Sequence, residues 1–302
     1  MYLVTDITGP VSKAVVAELA EQSVPVRVLS PDGAASAVTI AEPDSPLYPK
    51  LVSNVEWIRG NPCDATVLAN AMKGVEGVFL ASPMSPKIAD EHLRVVTAAK
   101  SASVRNVVQL SIVGANPEFC CTRVLRWFGQ AENSIATDAL SITRLRPTFY
   151  MQNLLEFTAS IAEQGLIAGP FRSIEWTWVD ARDVAAVAIC ALKDSAHAGK
   201  TYTVTGTETL NYRQVAERLS KVFGKPIRYT DITANEARGW LQAKGLQPVM
   251  IEAKLELWDA CASNLINAPP TQVVKELTGR EPRTVDDFLR DHKKQFLTAQ
   301  AA

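Results

Sequence analysis

Apolar and polar positions alternate between two periods along the first half of the chain. Short β-branched runs, "YLV" (2–4), "VPVRVL" (24–29), "NVEWI" (54–58), "GVFLA" (77–81), "NVVQLS" (106–111) and "LSITRLR" (140–146), read as strands. Between them, 10–22, 64–73, 86–102 and 123–137 repeat apolar residues at helical spacing, with Val15, Val16, Leu19 and Ala20 on one face. Such alternation predicts an α/β fold: a doubly wound parallel sheet built from right-handed β-α-β units and covered on both faces. Ligands of such sheets bind beyond the carboxyl ends of the strands.

Residues 30–53 lack periodicity and carry Pro31, Pro43, Pro46 and Pro49, which predicts a loop where a crossover helix is common. The pattern changes near residue 150. A helix over 151–164 leads to a Gly/Pro turn in "GLIAGPF", then to "IEWTWVD" and a helix that Asp183 is placed to cap. After a strand at 201–206 come helices at 211–223, 233–244, 248–266, 271–278 and 285–297, with a strand at 226–230. The division expected is a sheet domain over 1–150, with 174–206 returning to it, and a smaller, mostly helical lobe from 151–173 and 207–302.

Composition narrows the class. With 31 basic and 32 acidic side chains the chain has no field to attract nucleic acid or an anionic membrane, so a small molecule is the expected partner. No run of about 18 apolar residues and no leader-like N-terminus appears, which predicts a soluble, cytoplasmic protein. Cys63, Cys120, Cys121, Cys190 and Cys261 form no C-x-x-C pair, and His92, His197 and His292 are far apart, so no metal is expected. Oligomeric state is not legible.

The stretch "TDITGPVS" (5–12) joins the first strand to the first helix, where dinucleotide-binding proteins keep a glycine-rich phosphate loop, yet it holds one glycine. Several further stretches, taken in order, are similar to the NmrA-like family of atypical short-chain dehydrogenase/reductases. "LVTDITGPVSKAVVAEL" resembles that family's "LVTGATGxxGxxVxxxL". The rest of the resemblance lies in "VEWIRGNPCDATVLANAMKGVEGVFLASP", "VVQLSIVGA", "RWFGQAE", "TRLRPTFYMQNLL", "LNYRQVAERLSKVFGKPIRYTDITANEAR" and "KELTGREPRTVDDFLRDH". It implies an extended Rossmann fold, a cleft between two lobes, and either NAD(P)H-dependent reduction or redox sensing by bound dinucleotide.

By that resemblance the cofactor site comprises Thr5, Asp6, Gly9, Pro10, Val11 and Ser12, with Ser82 and Pro83 after the fourth strand. The three family glycines align with Asp6, Gly9 and Ser12. Asp6 brings a carboxylate beside a diphosphate, a repulsion of about 1 kcal/mol at 4 Å in water. Pro10 removes an N–H from the first helical turn, although proline suits that position. At the end of the second strand Pro31 stands where the family often has an arginine for the 2′-phosphate of NADP, and Asp32 follows. These departures predict an NAD(P) site that is weakened or lost.

None of the six tyrosines has a lysine four residues on, so the Tyr-x-x-x-Lys proton-transfer pair is missing. The family's "W-H-x-x-x-E" helix here reads Trp127-Phe128-Gly129-Gln130-Ala131-Glu132, and Phe128 moves no proton. Candidate catalytic residues are Ser111, Glu132, Tyr150 and Asp180. Ser111 either polarises a substrate oxygen or caps a turn, and Glu132 is either an acid/base or a solvated helix residue. Cys120 and Cys121 border the cleft without a neighbouring cation to activate a thiol. Candidate substrate contacts are Met84, Phe128, Phe149, Gln152, Asn153, Trp176 and Trp178, the two indoles falling on one side of an extended segment and offering faces to a flat ligand.

Three functions follow as expectations. The first is a small-molecule enzyme that has left hydride transfer for a proton-shuffling isomerisation or cyclisation. The alternatives are an NAD(P)H-dependent reductase and a non-catalytic regulator that senses a dinucleotide or metabolite.

Overall fold

The structure is a computed structural model that describes residues 1–42, 45–118, 122–135, 140 and 142–297. Cys120 and Cys121 lie outside the described residues. Strands Tyr2–Val4 (β1), Val26–Ser30 (β2), Val55–Arg59 (β3), Gly77–Leu80 (β4), Asn106–Leu110 (β5), Ile142–Pro147 (β6) and Thr201–Val204 (β10) form one parallel sheet in the order β10-β6-β5-β4-β1-β2-β3. Every residue of β2 and β4 is buried, as expected for central strands covered on both faces.

Helices Pro10–Glu21 (α1), Tyr48–Asn54 (α2) and Ala181–Lys193 (α7) build the core on one face, with Val273–Thr278 (α11) returning to it. Ala65–Ala71 (α3) and Ile88–Ser101 (α4) cover the other, and Arg123–Ser134 (α5) packs beside α4. Helix α2 lies where a loop is expected. Its Pro49 falls in the first turn, where a missing N–H costs nothing, so the prolines hid a short helix at the end of the expected loop.

The rest of the chain wraps a second core. Phe149–Tyr150 (β7), Trp176–Val179 (β9) and Thr209–Leu210 (β11) form a small sheet, and Leu166–Gly169 (β8) pairs with Arg228–Asp231 (β12). Around them lie Thr158–Gln164 (α6), Tyr212–Phe223 (α8), Ala234–Ala243 (α9), Pro248–Ala262 (α10), Val285–Asp291 (α12) and Lys293–Leu297 (α13). The expected helix over 151–164 is split, with a 3-10 turn at Met151–Phe157 ahead of α6. Capping boxes at Asn211/Gln214, Thr233/Glu236 and Thr284/Asp287 fix the starts of α8, α9 and α12, each worth about 1 kcal/mol.

The start of α7 corrects the sequence expectation. Asp180, not Asp183, is its N-cap, accepting from Arg182 N at 2.8 Å. Asp183 points away and binds the Arg283 backbone N–H at 2.7 Å and its guanidinium, tying the chain's last quarter to the sheet domain. Among the described residues no helix is long and apolar enough to cross a membrane, and no group of three or more His, Cys, Asp or Glu is placed to hold a metal.

Candidate functional site

A cleft of about 330 Å³ opens at the carboxyl end of the sheet. One end is the turn from β1 into α1. Thr5 does not line it: its hydroxyl bridges β1 to β4, donating to Ala81 O at 2.7 Å and accepting from Ala81 N at 3.0 Å. Asp6 does line it. Its carboxylate turns back on the loop, accepting from Thr8 N at 3.1 Å and Thr8 Oγ1 at 2.8 Å.

Gly9 is the N-cap of α1, and a Cβ there would meet no atom within 4 Å, so the helix start faces open cleft. Ser12 replaces the packing glycine at no evident strain. It is fully buried, lines the cleft, and its Oγ has no hydrogen-bond partner. An orphaned hydroxyl beside the unsatisfied first-turn N–H groups of α1 suits an anion.

Opposite lie Ser82 and Pro83, with Glu91 of α4 behind them. Burial raises the Glu91 carboxyl, Ser82 lowers it, and the Asp6 charge raises it again. At the end of β2, Arg59 of β3 donates Nε to Pro31 O at 3.0 Å. It brings a cation to a place where none was expected.

The floor comes from the ends of β5 and β6. Ser111 lines it and donates to Glu132 Oε1 at 2.5 Å. Glu132 is neither solvated nor in the cleft. It is 7% exposed and forked by Arg146, whose Nε donates to Oε1 at 2.9 Å and whose Nη2 donates to Oε2. Its hydrogen bond to Glu132 raises the Arg146 pKa. Tyr150 lines the floor too. Burial pushes its phenol well up, and its hydroxyl has no hydrogen bond to a described residue.

The far end is aromatic. Phe128, Phe149, Phe157, Phe171, Tyr212 and Trp258 line it with Met84 and Asn153, and Phe171 stacks on Tyr212 with centroids 4.2 Å apart and planes 12° apart. Burial raises the Tyr212 phenol. Glu156 and Lys254, 3.8 Å apart, add a charged corner.

Three expected contacts stand elsewhere. Trp176 and Trp178 do share a side, but they are 2% and 0% exposed and packed in the second core, with Trp178 Nε1 donating to Leu210 O at 2.8 Å. Neither offers a face to this cleft. Gln152 is consumed by α7, donating to Asp180 Oδ1 at 2.9 Å and accepting from Ala181 N at 3.0 Å. Asp180 is fully buried and paired with Arg182, so it reaches no ligand here. Burial raises its carboxyl, but hydrogen bonds and charge from Arg182, with Gln152, outweigh that and leave it low.

Phe157, Phe171, Tyr212, Lys254 and Trp258 went unforeseen because they come from a 3-10 turn, a loop, α8 and α10, which only the tertiary fold gathers. The four aromatic ones had one sequence signal, the concentration of aromatic residues after residue 148, and Lys254 had none.

A parallel sheet with this strand order and a cleft at the first crossover define a Rossmann-type protein. The chain belongs to the NmrA-like family, whose model matches residues 2–289. It is 31% identical over 296 residues to an NAD(P)H azoreductase of Xenophilus azovorans, covering 98% of this chain and 99% of the relative. It is also 31% identical over 296 residues to the (4-alkanoyl-5-oxo-2,5-dihydrofuran-3-yl)methyl phosphate reductase of Streptomyces griseus subsp. griseus, covering 98% and 99%. In fold it matches an NADPH-dependent quinone oxidoreductase of Escherichia coli complexed with NADPH, at a TM-score of 0.78, 20% identity, and coverage of 96% and 99%.

Proposed function

We propose that this protein is an NAD(P)H-dependent reductase of flat, conjugated organic molecules. One observation carries the reading: a single cleft runs from the open N-terminus of α1 to a chamber walled by aromatic rings. The relatives named as NAD(P)H azoreductase and as a reductase support it over a proton-shuffling activity. The sequence case against a dinucleotide rested on Asp6, Pro10, Ser12 and Pro31 together; here the Asp6 carboxylate accepts twice from Thr8, the Ser12 hydroxyl is unpartnered beside the helix start, and Arg59 stands next to Pro31, while Pro10 still lacks its N–H.

Gly9, the Val11 and Ser12 amides and the Ser12 hydroxyl would hold the diphosphate of the coenzyme. When bound, the coenzyme supplies a hydride. The chain's own part is positioning and exclusion of water. The Phe171–Tyr212 stack and its neighbours offer π faces to a planar substrate, and the dry wall strengthens each polar contact made inside. The Tyr150 and Tyr212 phenols, held protonated by burial, are hydrogen-bond donors. Asp6 weakens the coenzyme site without abolishing it.

Fluorescence titration with NADH and NADPH tests this directly, followed by coenzyme oxidation with a panel of quinones and azo dyes. Binding in the tens of micromolar with turnover of a planar acceptor is expected, where about 6 kcal/mol of affinity suffices. No binding at millimolar coenzyme sinks the proposal, and binding without turnover of any acceptor moves the protein to the regulatory alternative.

A further inference from the structure

Ser111 is 3% exposed at the cleft floor, and a serine hydroxyl has one proton to give and two lone pairs to offer. The proton is committed to Glu132 Oε1, 2.5 Å away. Glu132 gives none in return. The Arg146 guanidinium forks both its oxygens, and that planar fork matches an unprotonated carboxylate, which only accepts. The Ser111 backbone N–H is likewise spent, on Leu145 O at 2.8 Å. No described residue donates to Ser111 Oγ, so lone pairs are what it has left for the cleft.

We propose that Ser111 is a fixed hydrogen-bond acceptor at the cleft floor, and that the site takes a ligand presenting an N–H donor there. This rests on the reductase reading above. It reverses the polarity of one of the two sequence expectations for Ser111, that its O–H polarises a substrate oxygen, and replaces the other, a turn cap. Glu132 and Arg146 are positioning residues that set that polarity without reaching the ligand. The N–H has two sources of one chemistry: the carboxamide of the dihydronicotinamide ring, or an amine on the substrate.

The test compares NADH with reduced acetylpyridine adenine dinucleotide, in which a methyl replaces the amide nitrogen and the carbonyl is kept. A parallel arm compares KM for an aminonaphthoquinone with KM for its dimethylamino counterpart. Both arms use the native protein, Ser111→Ala and Glu132→Gln. The last substitution removes the carboxylate charge, but Arg146 Nε, which donates to the same Oε1, holds the amide carbonyl against Ser111, so this variant keeps the Ser111 proton turned away from the cleft.

If the coenzyme supplies the donor, the native protein binds NADH about 10-fold more tightly than the analogue, and the ratio falls to near unity in Ser111→Ala but persists in Glu132→Gln. If the substrate supplies it, the coenzyme ratio is near unity throughout. The amino compound then has the lower KM by about the same factor with kcat alike, and Ser111→Ala loses that preference. Because Glu132→Gln disturbs a buried ion pair, Ser111→Ala is judged by itself: a native ratio retained in that variant overturns the proposal. Ratios near unity in both arms of the native protein also overturn it, while leaving the reductase reading intact. Absence of NADH binding at millimolar levels overturns both.

Discussion

The carboxylate of Asp6 holds Thr8 twice, at 3.1 Å through the backbone N–H and at 2.8 Å through the hydroxyl. The acid that replaces a family glycine therefore orders the loop while leaving a negative charge at the cleft. The two effects separate in Asp6→Asn, which keeps an acceptor for the Thr8 N–H and removes the charge. NADH binding should tighten about 5-fold, the equivalent of about 1 kcal/mol of repulsion relieved. Titration at low and high salt checks it, and an affinity unchanged or weakened at low salt would count against the electrostatic account.

Gly9→Asp should act in the opposite direction on binding and hardly at all on folding. The φ of −84° suits any residue, no atom lies within 4 Å of the added Cβ, and aspartate is a good N-cap for α1. Its carboxylate would occupy the amides proposed for the diphosphate. We expect a melting temperature within about 3 °C of native, or higher, with coenzyme affinity down at least about 10-fold. Native affinity in a well-folded variant would mean that the coenzyme lies elsewhere.

Trp178→Phe distinguishes a core indole from a ligand platform. The change removes a buried hydrogen bond to Leu210 O and leaves space among Phe149, Trp176 and Tyr212. A loss of about 2–3 kcal/mol in urea denaturation is expected, with KM for a planar acceptor within about 2-fold of native. A large KM effect without loss of stability would return Trp178 to the substrate site.

His92 makes stability depend on pH. It is fully buried, and Gln109 Nε2, which only donates, lies 3.0 Å from Nδ1, so the ring is neutral. Burial depresses its pKa to about 3 from the ordinary 6.5. The unfolded chain thus takes up a proton that the folded one refuses, and stability falls as pH drops from 6.5 toward 3. The slope is about 1.4 kcal/mol per pH unit for one proton. His92→Gln should flatten the curve by that much between about pH 6 and pH 5, above the main carboxylate range. Urea titrations across that window read the slope directly, and an unchanged slope refutes the assignment.

Much of the fold was legible because each β-α-β unit advertises itself locally: a short β-branched run such as "NVVQL", a helical stripe through Val15, Val16 and Leu19, turn residues between. The loop end of the cleft was legible for the same reason, since Asp6, Gly9, Pro10, Val11 and Ser12 are contiguous. Orientation was not. Nothing local says that Glu132 faces Arg146, fourteen positions away on a neighbouring strand, or that Asp180 spends its oxygens on Arg182 and Gln152. Likewise "WTW" encodes two indoles on one side, while which side meets a core is decided by Tyr212 and Phe171 arriving from elsewhere.

Asp183 reaches a hundred residues along the chain to hold Arg283 by both main chain and side chain, just ahead of α12. Arg182, its neighbour, spans the same seam to Asp291 at 2.7 Å. Two adjacent contacts on the first turn of α7 thus fasten it to residues just before and at the end of α12. A ligand of the proposed site is therefore expected to enter through the standing mouth of the cleft, so that acceptors wider than that mouth are excluded whatever their affinity.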